Sequence, residues 1–326
     1  MFDPGQIERS RSLRLLTTLK AGGPAELFWT AKDVNELAEA SIWAQSERVR
    51  TTILGSGSNI LPSDAGVPGL TLHNLAGRIS IGENGEVIAD CGCSFQELFL
   101  KAAQARLAGL EFAVGIPGTL GGALVSNAGA YRSNVSEFLK EIEIVESGQR
   151  RWVDPSFMKF AYRDSVLRSV DPPPVTLLRV KMLLPDGNSK AIYDEAREYQ
   201  RQRISKQPPS ASAGSFFKNV YDQQLADTLD NLPERLRSAG VVPAGYLIEQ
   251  CGLKGARYQG AMIGARHANF LLNVGGATAT ALRRLAEFVA HQVELRFAVK
   301  LEEEVLYLGD WTSWEPVTEL EVERAI

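Results

Sequence analysis

The strongest constraint in this sequence is a stretch with almost no large side chains. Residues 115–131 read GIPGTLGGALVSNAGAY, and no other part of the chain is as dense in Gly, Ala and Ser. Such backbone can approach a large flat ligand closely, and Pro117 followed by glycines can open a short helix whose N-terminus faces a phosphate. The alternative is close packing of one element on another. We favour a cofactor cradle, because the small residues are so concentrated here.

A second glycine-rich segment follows a predicted strand. Residues 49–54 form a β-branched apolar run, and Gly55-Ser-Gly-Ser-Asn59 comes directly after it. Successive backbone N–H groups in such a turn can form a nest that binds phosphate, with further donors on the Ser and Asn side chains. A plain tight turn explains the segment equally well. It is not a dinucleotide-binding fingerprint, since the third glycine, the following helix and the later acidic residue are missing.

Strands and helices mix along the chain without regular alternation. Apolar periodicity and capping residues predict helices at 34–46, 95–107, 192–204 and 278–297, and strands at 49–54, 70–72, 141–146, 176–184 and 303–308. Lys206-Gln-Pro-Pro209 ends the third helix and predicts a domain boundary near 205. The order of elements predicts an α+β protein and not a doubly wound parallel sheet.

Length and charge exclude several classes of protein. The chain has 326 residues, enough for about two or three domains, and its 35 basic and 39 acidic residues give a net charge of −4. Without a basic tract, it is a poor nucleic-acid binder. The chain has no apolar leader and no run of about 18 apolar residues, so we expect a soluble cytoplasmic protein with no membrane span.

The cysteines indicate a reducing compartment. The chain has 3 cysteines, Cys91, Cys93 and Cys251. An odd count in a chain of this length does not indicate a disulfide framework. Cys91 and Cys93 lie two residues apart, a spacing that suits two small buried thiols better than a metal site. With only 3 histidines in the chain, we expect no bound metal.

Three polar segments hold candidate catalytic groups. Ser215 follows a glycine and precedes two phenylalanines. Tyr162 and Arg163 can hold a carboxylate through the guanidinium fork, and Glu302 and Glu304 share one face of a predicted strand. In isolation, each has a simpler structural interpretation: a serine in a turn, a surface arginine and solvated acids. No G-x-S-x-G elbow and no nearby His or acid marks a hydrolase triad.

Taken together and in order, these segments resemble one family, the UDP-N-acetylenolpyruvoylglucosamine reductases, which are flavin enzymes of peptidoglycan precursor synthesis. The matching stretches are 18–25 (TLKAGGPA), 54–61 (LGSGSNIL), 109–112 (GLEF), 115–123 (GIPGTLGGA), 127–131 (NAGAY), 162–165 (YRDS), 213–219 (AGSFFKN), 244–249 (AGYLIE), 252–255 (GLKG), 267–269 (HAN) and 301–305 (LEEEV). They are spread from residue 18 to 305, and their common order is far more specific than any one of them.

The resemblance implies an α+β FAD-binding fold of the vanillyl-alcohol-oxidase (PCMH) type. In that fold, two subdomains surround the flavin and a separate α+β domain takes the UDP-sugar. We therefore expect a first FAD-binding subdomain at 1–72, joined by the C-terminal strand 301–326. A second FAD-binding subdomain is expected at 73–204, and a substrate domain at 205–300.

The same resemblance implies an oxidoreductase, with NADPH as hydride donor and FAD bound without a covalent link. Its substrate would be UDP-N-acetylglucosamine enolpyruvate and its product UDP-N-acetylmuramate, a reaction that serves cell-wall biogenesis, cell shape and cell division. The positions that match catalytic residues are Arg163, Ser215 and Glu304. Those that match substrate contacts are Tyr162, Lys206, Asn219 and Glu249. Those that match FAD contacts are Gly55, Ser56, Gly57, Ser58, Asn59, Gly115, Ile116, Pro117, Gly118, Thr119, Gly121, Gly122, Asn127, Ala128 and Gly129.

The sequence departs from the family pattern at three positions. Ser126 stands where a methionine usually precedes the NAGAY run, and Val220 replaces a usual proline. Glu303 replaces the proline of a usual Leu-Glu-Pro-Glu-Val. The last change leaves open whether Glu302 or Glu304 is the acting acid.

Two alternatives from other classes stay open at this stage. One is an oxidase of the same broad flavin fold that acts on a sugar or aromatic alcohol, often through a covalently tethered flavin. Neither glycine-rich segment has a His or Cys where such a tether usually lies, so we expect FAD to dissociate on denaturation. The other is a nucleotide-binding protein without catalysis, in which Arg163, Ser215 and Glu304 would be dispensable.

Overall fold

The computed structural model describes residues 1–323 and divides into two compact units. The first unit comprises 1–11, 25–57 and 68–205, and the second comprises 12–24, 58–67 and the chain from 206 onward. Residues 324–326, the end of the predicted segment 301–326, lie outside the described residues. The finer division into 1–72, 73–204 and 205–300 stays a prediction.

Short strands outnumber helices in the described part of the chain. The strands are β1 Glu8–Ser12, β2 Pro24–Ala31, β3 Thr51–Leu54, β4 Ile60–Pro62, β5 Val67–Asn74, β6 Ile79–Ile81, β7 Glu86–Asp90, β8 Gly129–Ala130, β9 Ser133–Asn134, β10 Leu139–Glu146, β11 Gln149–Val153, β12 Thr176–Leu183, β13 Ala211–Ser215, β14 Val220–Tyr221, β15 Val241–Val242, β16 Arg257–Tyr258, β17 Ala261–Ile263, β18 Phe270–Asn273 and β19 Leu306–Leu308. The helices are α1 Val34–Ser46, α2 Phe95–Gln104, α3 Leu120–Val125, α4 Ser189–Lys206, α5 Gln223–Thr228, α6 Glu234–Arg237, α7 Ala244–Gln250 and α8 Ala279–Phe297.

Sequence signals located the long helices well because their caps are local. The predicted helix at 34–46 is confirmed, with the Asp33 carboxylate accepting hydrogen bonds from two backbone N–H groups of its first turn. Thr278 caps α8 as predicted, through a hydrogen bond from Ala281 N. The strand predicted at 303–308 is shorter, because Glu303 makes only an isolated bridge to Phe217 and regular pairing begins at Leu306.

Two sheets organise the first unit. One has the strand order β1-β2-β5-β3, in which β3 and β5 run parallel, and the other is antiparallel with the order β11-β10-β12-β7-β6. A core that includes Leu37 of α1, Leu70 of β5 and Leu178 of β12 joins the two sheets. A second core gathers Phe95, Phe99 and other buried side chains around α2 and the five-stranded sheet. Burial of apolar surface at these cores is the main stabilising contribution.

The second unit contains an antiparallel sheet and the helices α5 to α8. Its sheet has the order β13-β18-β17-β16, and its core includes Phe216, Phe217, Leu247 of α7 and Leu285 of α8. Near the end of the chain, β19 pairs in parallel with β4. No helix of residues 1–323 is long and apolar enough to cross a membrane.

The paired thiols Cys91 and Cys93 are buried, as predicted. Burial raises the pKa of Cys91 well above its usual range and that of Cys93 to about 12. Both side chains are therefore neutral at physiological pH and contribute packing rather than reactivity.

Adjacent glycines on α3 allow a paired test of packing. A Cβ on Gly121 would lie 2.9 Å from the Cys91 carbonyl oxygen, so a side chain there meets the protein's own backbone. A Cβ on Gly122 would meet only Thr119 Oγ1, at 3.7 Å. Overpacking costs roughly 1–3 kcal/mol, so Gly121→Val should lower the free energy of unfolding by about that amount.

Gly122→Val is the matched control and should leave the free energy of unfolding of the flavin-free protein nearly unchanged. The measurement is urea unfolding of the flavin-free wild type and of the two flavin-free variants, followed by circular dichroism, because bound flavin would itself stabilise the folded state. Equal destabilisation by the two substitutions would contradict the packing that we describe for Gly121.

Candidate flavin and substrate site

The two glycine-rich segments predicted from the sequence are in contact within the first unit. A Cβ on Gly55 would lie only 2.3 Å from Thr119 Oγ1, so the strand-following turn packs directly on the start of the 115–131 stretch. Thr119 Oγ1 also accepts a hydrogen bond from Gly122 N at 3.3 Å and caps α3. The short helix predicted after Pro117 is therefore confirmed. Packing explains Gly55 and Gly121, while Gly122 leaves open surface.

The predicted FAD contacts differ in exposure. The exposed ones are Ser56, Pro117 and Gly122; the half-buried ones are Gly55, Ser58, Asn59, Gly115, Ile116, Gly118, Gly121 and Ala128; the buried ones are Gly57, Thr119, Asn127 and Gly129. Gly115 and Gly118 have φ angles of +70° and +130°, which only glycine adopts readily. Ser58 and Asn59 belong to the second unit, so the 55–59 segment passes from one unit to the other.

The turn at 161–165 is tied to the end of the small-residue stretch. Asn127 donates from Nδ2 to the Ala161 carbonyl at 3.0 Å, and Ser165 donates from its hydroxyl to the Val125 carbonyl at 2.7 Å. The Oδ1 atom of Asn127 is buried without a hydrogen-bond partner, a costly state for a polar atom. It is therefore available to a donor on a bound ligand.

Arg163 lies on this turn in a strained conformation. Its φ is +52°, in the left-handed region that non-glycine residues rarely adopt. Its guanidinium donates to the Gly129 carbonyl and lies 5.3 Å from the centre of the Tyr162 ring. Strain of this kind costs roughly 1–3 kcal/mol and is typical of functional positions. The structure thus brings Tyr162 and Arg163 to the predicted FAD segment.

Sequence reasoning missed a further cation in the first unit, Arg203 of α4. It donates to the Phe112 carbonyl at 3.1 Å, and its side chain lies 3.1 Å from a Cβ built on Gly115. Its Nε is buried without a partner, and within residues 1–323 no carboxylate pairs with it. Burial lowers the pKa of Arg203, and the charge of Arg163 lowers it further. The helix carries several solvated arginines, so only burial distinguishes this one.

Ser215 ends β13 in the second unit. Gly214 precedes it with a φ of +78°, and the β13–β18 register shifts between Ser212 and Ser215. Asn269 fixes the residues that follow: its Oδ1 accepts from Phe217 N at 2.9 Å and its Nδ2 donates to the Phe217 carbonyl at 2.8 Å. The half-buried Ser215 side chain is thus held on a rigid segment beside a bulge.

The three consecutive acids differ in environment. Glu302 is 71% exposed and forms an ion pair with Lys218. Glu303 and Glu304 are both half-buried, so the simpler interpretation as three solvated acids is wrong for these two residues. Glu304 N donates to the Phe216 carbonyl at 2.8 Å, which sets Glu304 beside the residue that follows Ser215.

The predicted substrate contacts of the second unit fall in two places. Asn219 accepts a hydrogen bond from Ala244 N at 3.3 Å, at the start of α7. Glu249, at the end of α7, forms an ion pair with Lys254 at 2.6 Å. Burial lowers the pKa of His267, and the charges of Lys206 and Lys254 lower it further, so these two cations lie near a neutral imidazole.

Sequence reasoning did not assign Lys254 and His267 to the site, although both lie in matched stretches. The signal was present in the GLKG and HAN motifs, but only the fold brings these side chains near Lys206.

The first-unit residues fit a dinucleotide cofactor. Three features suit a flat, anionic ligand: open backbone at Gly122, an unpaired amide oxygen on Asn127, and the half-buried Arg203, whose Nε is buried without a partner. No group of three or more His, Cys, Asp or Glu in residues 1–323 could hold a metal ion.

Known proteins resemble this chain over nearly its whole length. A family model described as an FAD binding domain matches residues 25–151, and one described as the C-terminal domain of UDP-N-acetylenolpyruvoylglucosamine reductase matches residues 206–308. The chain is 38% identical over 310 residues to the UDP-N-acetylenolpyruvoylglucosamine reductase of Synechococcus sp. (strain JA-3-3Ab), covering 94% of this chain and 93% of that one. It is 35% identical over 317 residues to reductase 2 of Symbiobacterium thermophilum, covering 96% of each.

The fold is also similar to that of a solved structure. The crystal structure of UDP-N-acetylenolpyruvylglucosamine reductase from Thermus caldophilus matches with a TM-score of 0.73 at 31% identity, covering 93% of this chain and 99% of that one. The predicted α+β FAD-binding fold is confirmed. Sequence identity over the full length of both chains, together with the matched fold, shows that the chain belongs to the UDP-N-acetylenolpyruvoylglucosamine reductase family.

Proposed function

We propose that this chain is an FAD-containing oxidoreductase that uses NADPH to reduce UDP-N-acetylglucosamine enolpyruvate to UDP-N-acetylmuramate. The reaction belongs to cytoplasmic peptidoglycan precursor synthesis, and through it to cell-wall biogenesis, cell shape and cell division. The proposal rests mainly on the backbone hydrogen bond from Glu304 N to the Phe216 carbonyl, which holds Glu304 beside the residue that follows Ser215 in the second unit.

We further propose a three-part division of labour along the chain. Residues 1–72, with the C-terminal strand, and residues 73–204 hold FAD, while residues 205–300 bind the UDP-sugar. The match of an FAD-binding model to 25–151 and of a reductase C-terminal model to 206–308 supports this assignment.

The glycine-rich segments of the first unit would hold FAD. The cofactor, when bound, supplies the redox chemistry by accepting hydride from NADPH and delivering it to the enolpyruvyl group. Gly122 offers backbone that a flat ring system can approach, and Arg203 offers an N–H without a partner. Asn127 Oδ1 offers an acceptor for a donor on the ligand.

Cations of the second unit would bind the diphosphate of the UDP-sugar. Lys206 and Lys254 both lie close enough to the neutral His267 imidazole for their charges to lower its pKa, and Glu249 pairs with Lys254 at 2.6 Å. Ammonium groups attract a diphosphate. Asn219 adds amide hydrogens, because its oxygen is already occupied by Ala244 N.

Charge develops on the substrate in a predictable place. Hydride addition to the terminal CH₂ of an enolpyruvyl ether puts negative charge on the adjacent carbon and into its carboxylate. The Arg163 guanidinium is suited to hold that carboxylate, and a protonated Glu304 would donate a hydrogen bond to the same charge. The carbanion carbon then takes a proton, for which the Ser215 hydroxyl is the proposed donor.

The structure favours Glu304 over Glu302 for this role. The Glu302 carboxylate is exposed and already paired with the Lys218 ammonium. Glu304 is half-buried on a segment fixed by Phe216.

NADPH oxidation with and without the enolpyruvyl UDP-sugar tests the function. We expect a flavin absorption band, its bleaching by NADPH and rapid NADPH consumption only when the UDP-sugar is present. Oxygen consumption with simple alcohols would instead indicate an oxidase. A bound nucleotide without any turnover would indicate a binding protein.

Arg163→Ala should impair the second half of the cycle selectively. The guanidinium stabilises charge that forms only on the substrate, so oxidation of the reduced flavin by the UDP-sugar should slow roughly 10²–10³-fold. Reduction of the flavin by NADPH should change little. Stopped-flow absorbance measures both steps, and Arg163→Lys is the matched control that retains the charge without the fork. Equal losses in the two steps would contradict this role.

Ser215→Ala should slow oxidation of the reduced flavin by roughly 10²–10⁴-fold, because it removes the proposed proton donor. Ser215→Cys should recover part of the rate, since a thiol also donates a proton. Flavin content and reduction by NADPH should be unchanged in both variants. Near-normal turnover of Ser215→Ala together with an inactive Glu304→Gln would show that the two residues have the opposite roles.

Gly122→Val should yield a folded protein with little bound flavin, because a branched side chain would enter the proposed cofactor space. The absorbance ratio at the flavin and protein bands of the purified protein measures this. Gly77→Val is a suitable control, because a Cβ there meets only the Leu75 carbonyl oxygen at 3.6 Å and the Cys93 Cα at 3.9 Å, and the glycine lies outside the predicted FAD contacts. Purification of Gly122→Val with a full complement of flavin would place FAD elsewhere.

A further inference from the structure

The last described segment of the chain packs on helix α8. Residues 309–323, which we call the C-terminal strap, follow the 206–308 match to the reductase family model. Trp311, Leu320 and Val322 of the strap pack against the core of the second unit. The strap ends at Glu323, whose backbone exchanges two hydrogen bonds with Arg257 of β16.

Three aromatic rings of the strap and of β19 surround one arginine of α8. The Arg283 Cζ lies 4.5 Å from the centre of the Tyr307 ring, 4.6 Å from that of Trp311 and 4.4 Å from that of Trp314. The rings Trp311 and Trp314 meet edge to face. Cation–π contacts of this kind are strongest when the cation is shielded from water, and the Arg283 side chain is only 16% exposed.

Glu287, one turn further along α8, binds the strap through its carboxylate. Its Oε1 accepts from Arg283 Nε at 3.2 Å and from Trp314 Nε1 at 2.6 Å, and its Oε2 accepts from Val317 N at 3.1 Å. Arg283, Glu287 and the three rings Tyr307, Trp311 and Trp314 therefore form one cluster, here called the Arg283 cage.

The Arg283 cage lies beside Glu303. Burial raises the pKa of the Glu303 carboxyl, the charge of Glu287 raises it too, and the charge of Arg283 opposes them. Tyr307, one of the rings around Arg283, is another neighbour of Glu303, and its own pKa is raised by burial and by the charge of Glu303. Arg283 is thus the cation that attracts the ionised Glu303 carboxylate, against burial and the charges of Glu287 and Glu302.

Glu303 is also paired with the segment that carries Ser215. It bridges Phe217 in antiparallel fashion, and the next residue, Glu304, donates its N–H to the Phe216 carbonyl at 2.8 Å. Successive side chains of an extended segment point to opposite sides. If the Glu303 side chain is held toward the cage, the Glu304 side chain must therefore point to the opposite side of this segment.

We propose that Glu303 is a positioning residue for Glu304, and that the Arg283 cage, closed by the C-terminal strap, anchors Glu303. The proposal rests on the proposed function, in which Glu304 acts on the substrate. Releasing Glu303 lets the 302–304 segment rotate, and small displacements of a catalytic group cost up to roughly 10²-fold in rate.

The test uses the full-length protein with Arg283→Met and Glu303→Gln. We expect kcat to fall by roughly 10- to 100-fold with little change in KM for the UDP-sugar, while flavin reduction by NADPH stays at the wild-type rate. Arg283→Lys keeps a cation in the cage and should restore part of kcat. Arg284→Met is the matched control, since its guanidinium lies farther from the Trp314 ring, at 6.0 Å, and donates to the Tyr258 hydroxyl at 3.4 Å.

Amide hydrogen exchange of residues 301–305, followed by mass spectrometry, gives a readout that does not depend on activity. Exchange should accelerate in Arg283→Met and not in Arg284→Met. Normal kcat and exchange in Arg283→Met and Glu303→Gln, in an active wild-type background, would overturn this inference alone. Equal loss in both half-reactions would also overturn it, by showing a general structural role. A wild type without UDP-sugar-dependent turnover would overturn the proposed function and, with it, this inference.

Discussion

The antiparallel pairing between residues 216–218 and 302–304 is the interaction on which the second unit depends. Phe216 accepts from Glu304 N, and Lys218 N donates to the Glu302 carbonyl at 2.8 Å. Asn269, which immediately precedes β18, holds the same phenylalanine segment through both ends of its side-chain amide. The buried phenylalanines therefore serve two purposes, since they fill the core and also hold Ser215 beside Glu304.

In the first unit, small residues likewise serve both internal packing and the proposed ligand site. Gly55 and Gly121 are required by internal packing, because a Cβ on Gly55 would collide with the Thr119 side chain and a Cβ on Gly121 with the Cys91 backbone. Gly122 meets no such obstacle and leaves its surface available to a ligand. One stretch of glycine and alanine thus combines tight internal packing with an open face. The interpretation as packing is confirmed at Gly121, and the interpretation as a cofactor cradle stays a prediction.

Prediction from the sequence succeeded where the determining contacts are local. Helix α1 begins after Asp33 and α8 after Thr278, since a cap and its N–H partners lie within a few residues of each other. It failed where distant segments meet. The strand predicted from 303 begins at 306, and Arg203 was overlooked among solvated arginines, because both depend on partners far along the chain.

The sequence by itself determined the family, the α+β class and most of the residues to which chemistry is assigned, because ordered motifs of glycine and polar residues specify backbone shape locally. Only the tertiary structure decided which glycine packs and which lies open, and which of three adjacent acids is solvated, anchored or set beside Ser215. Alternation along an extended segment gives Glu302 and Glu304 the same face. Lys218, Phe216 and Arg283 come from other segments, and only folding brings them to these acids and gives each a different environment.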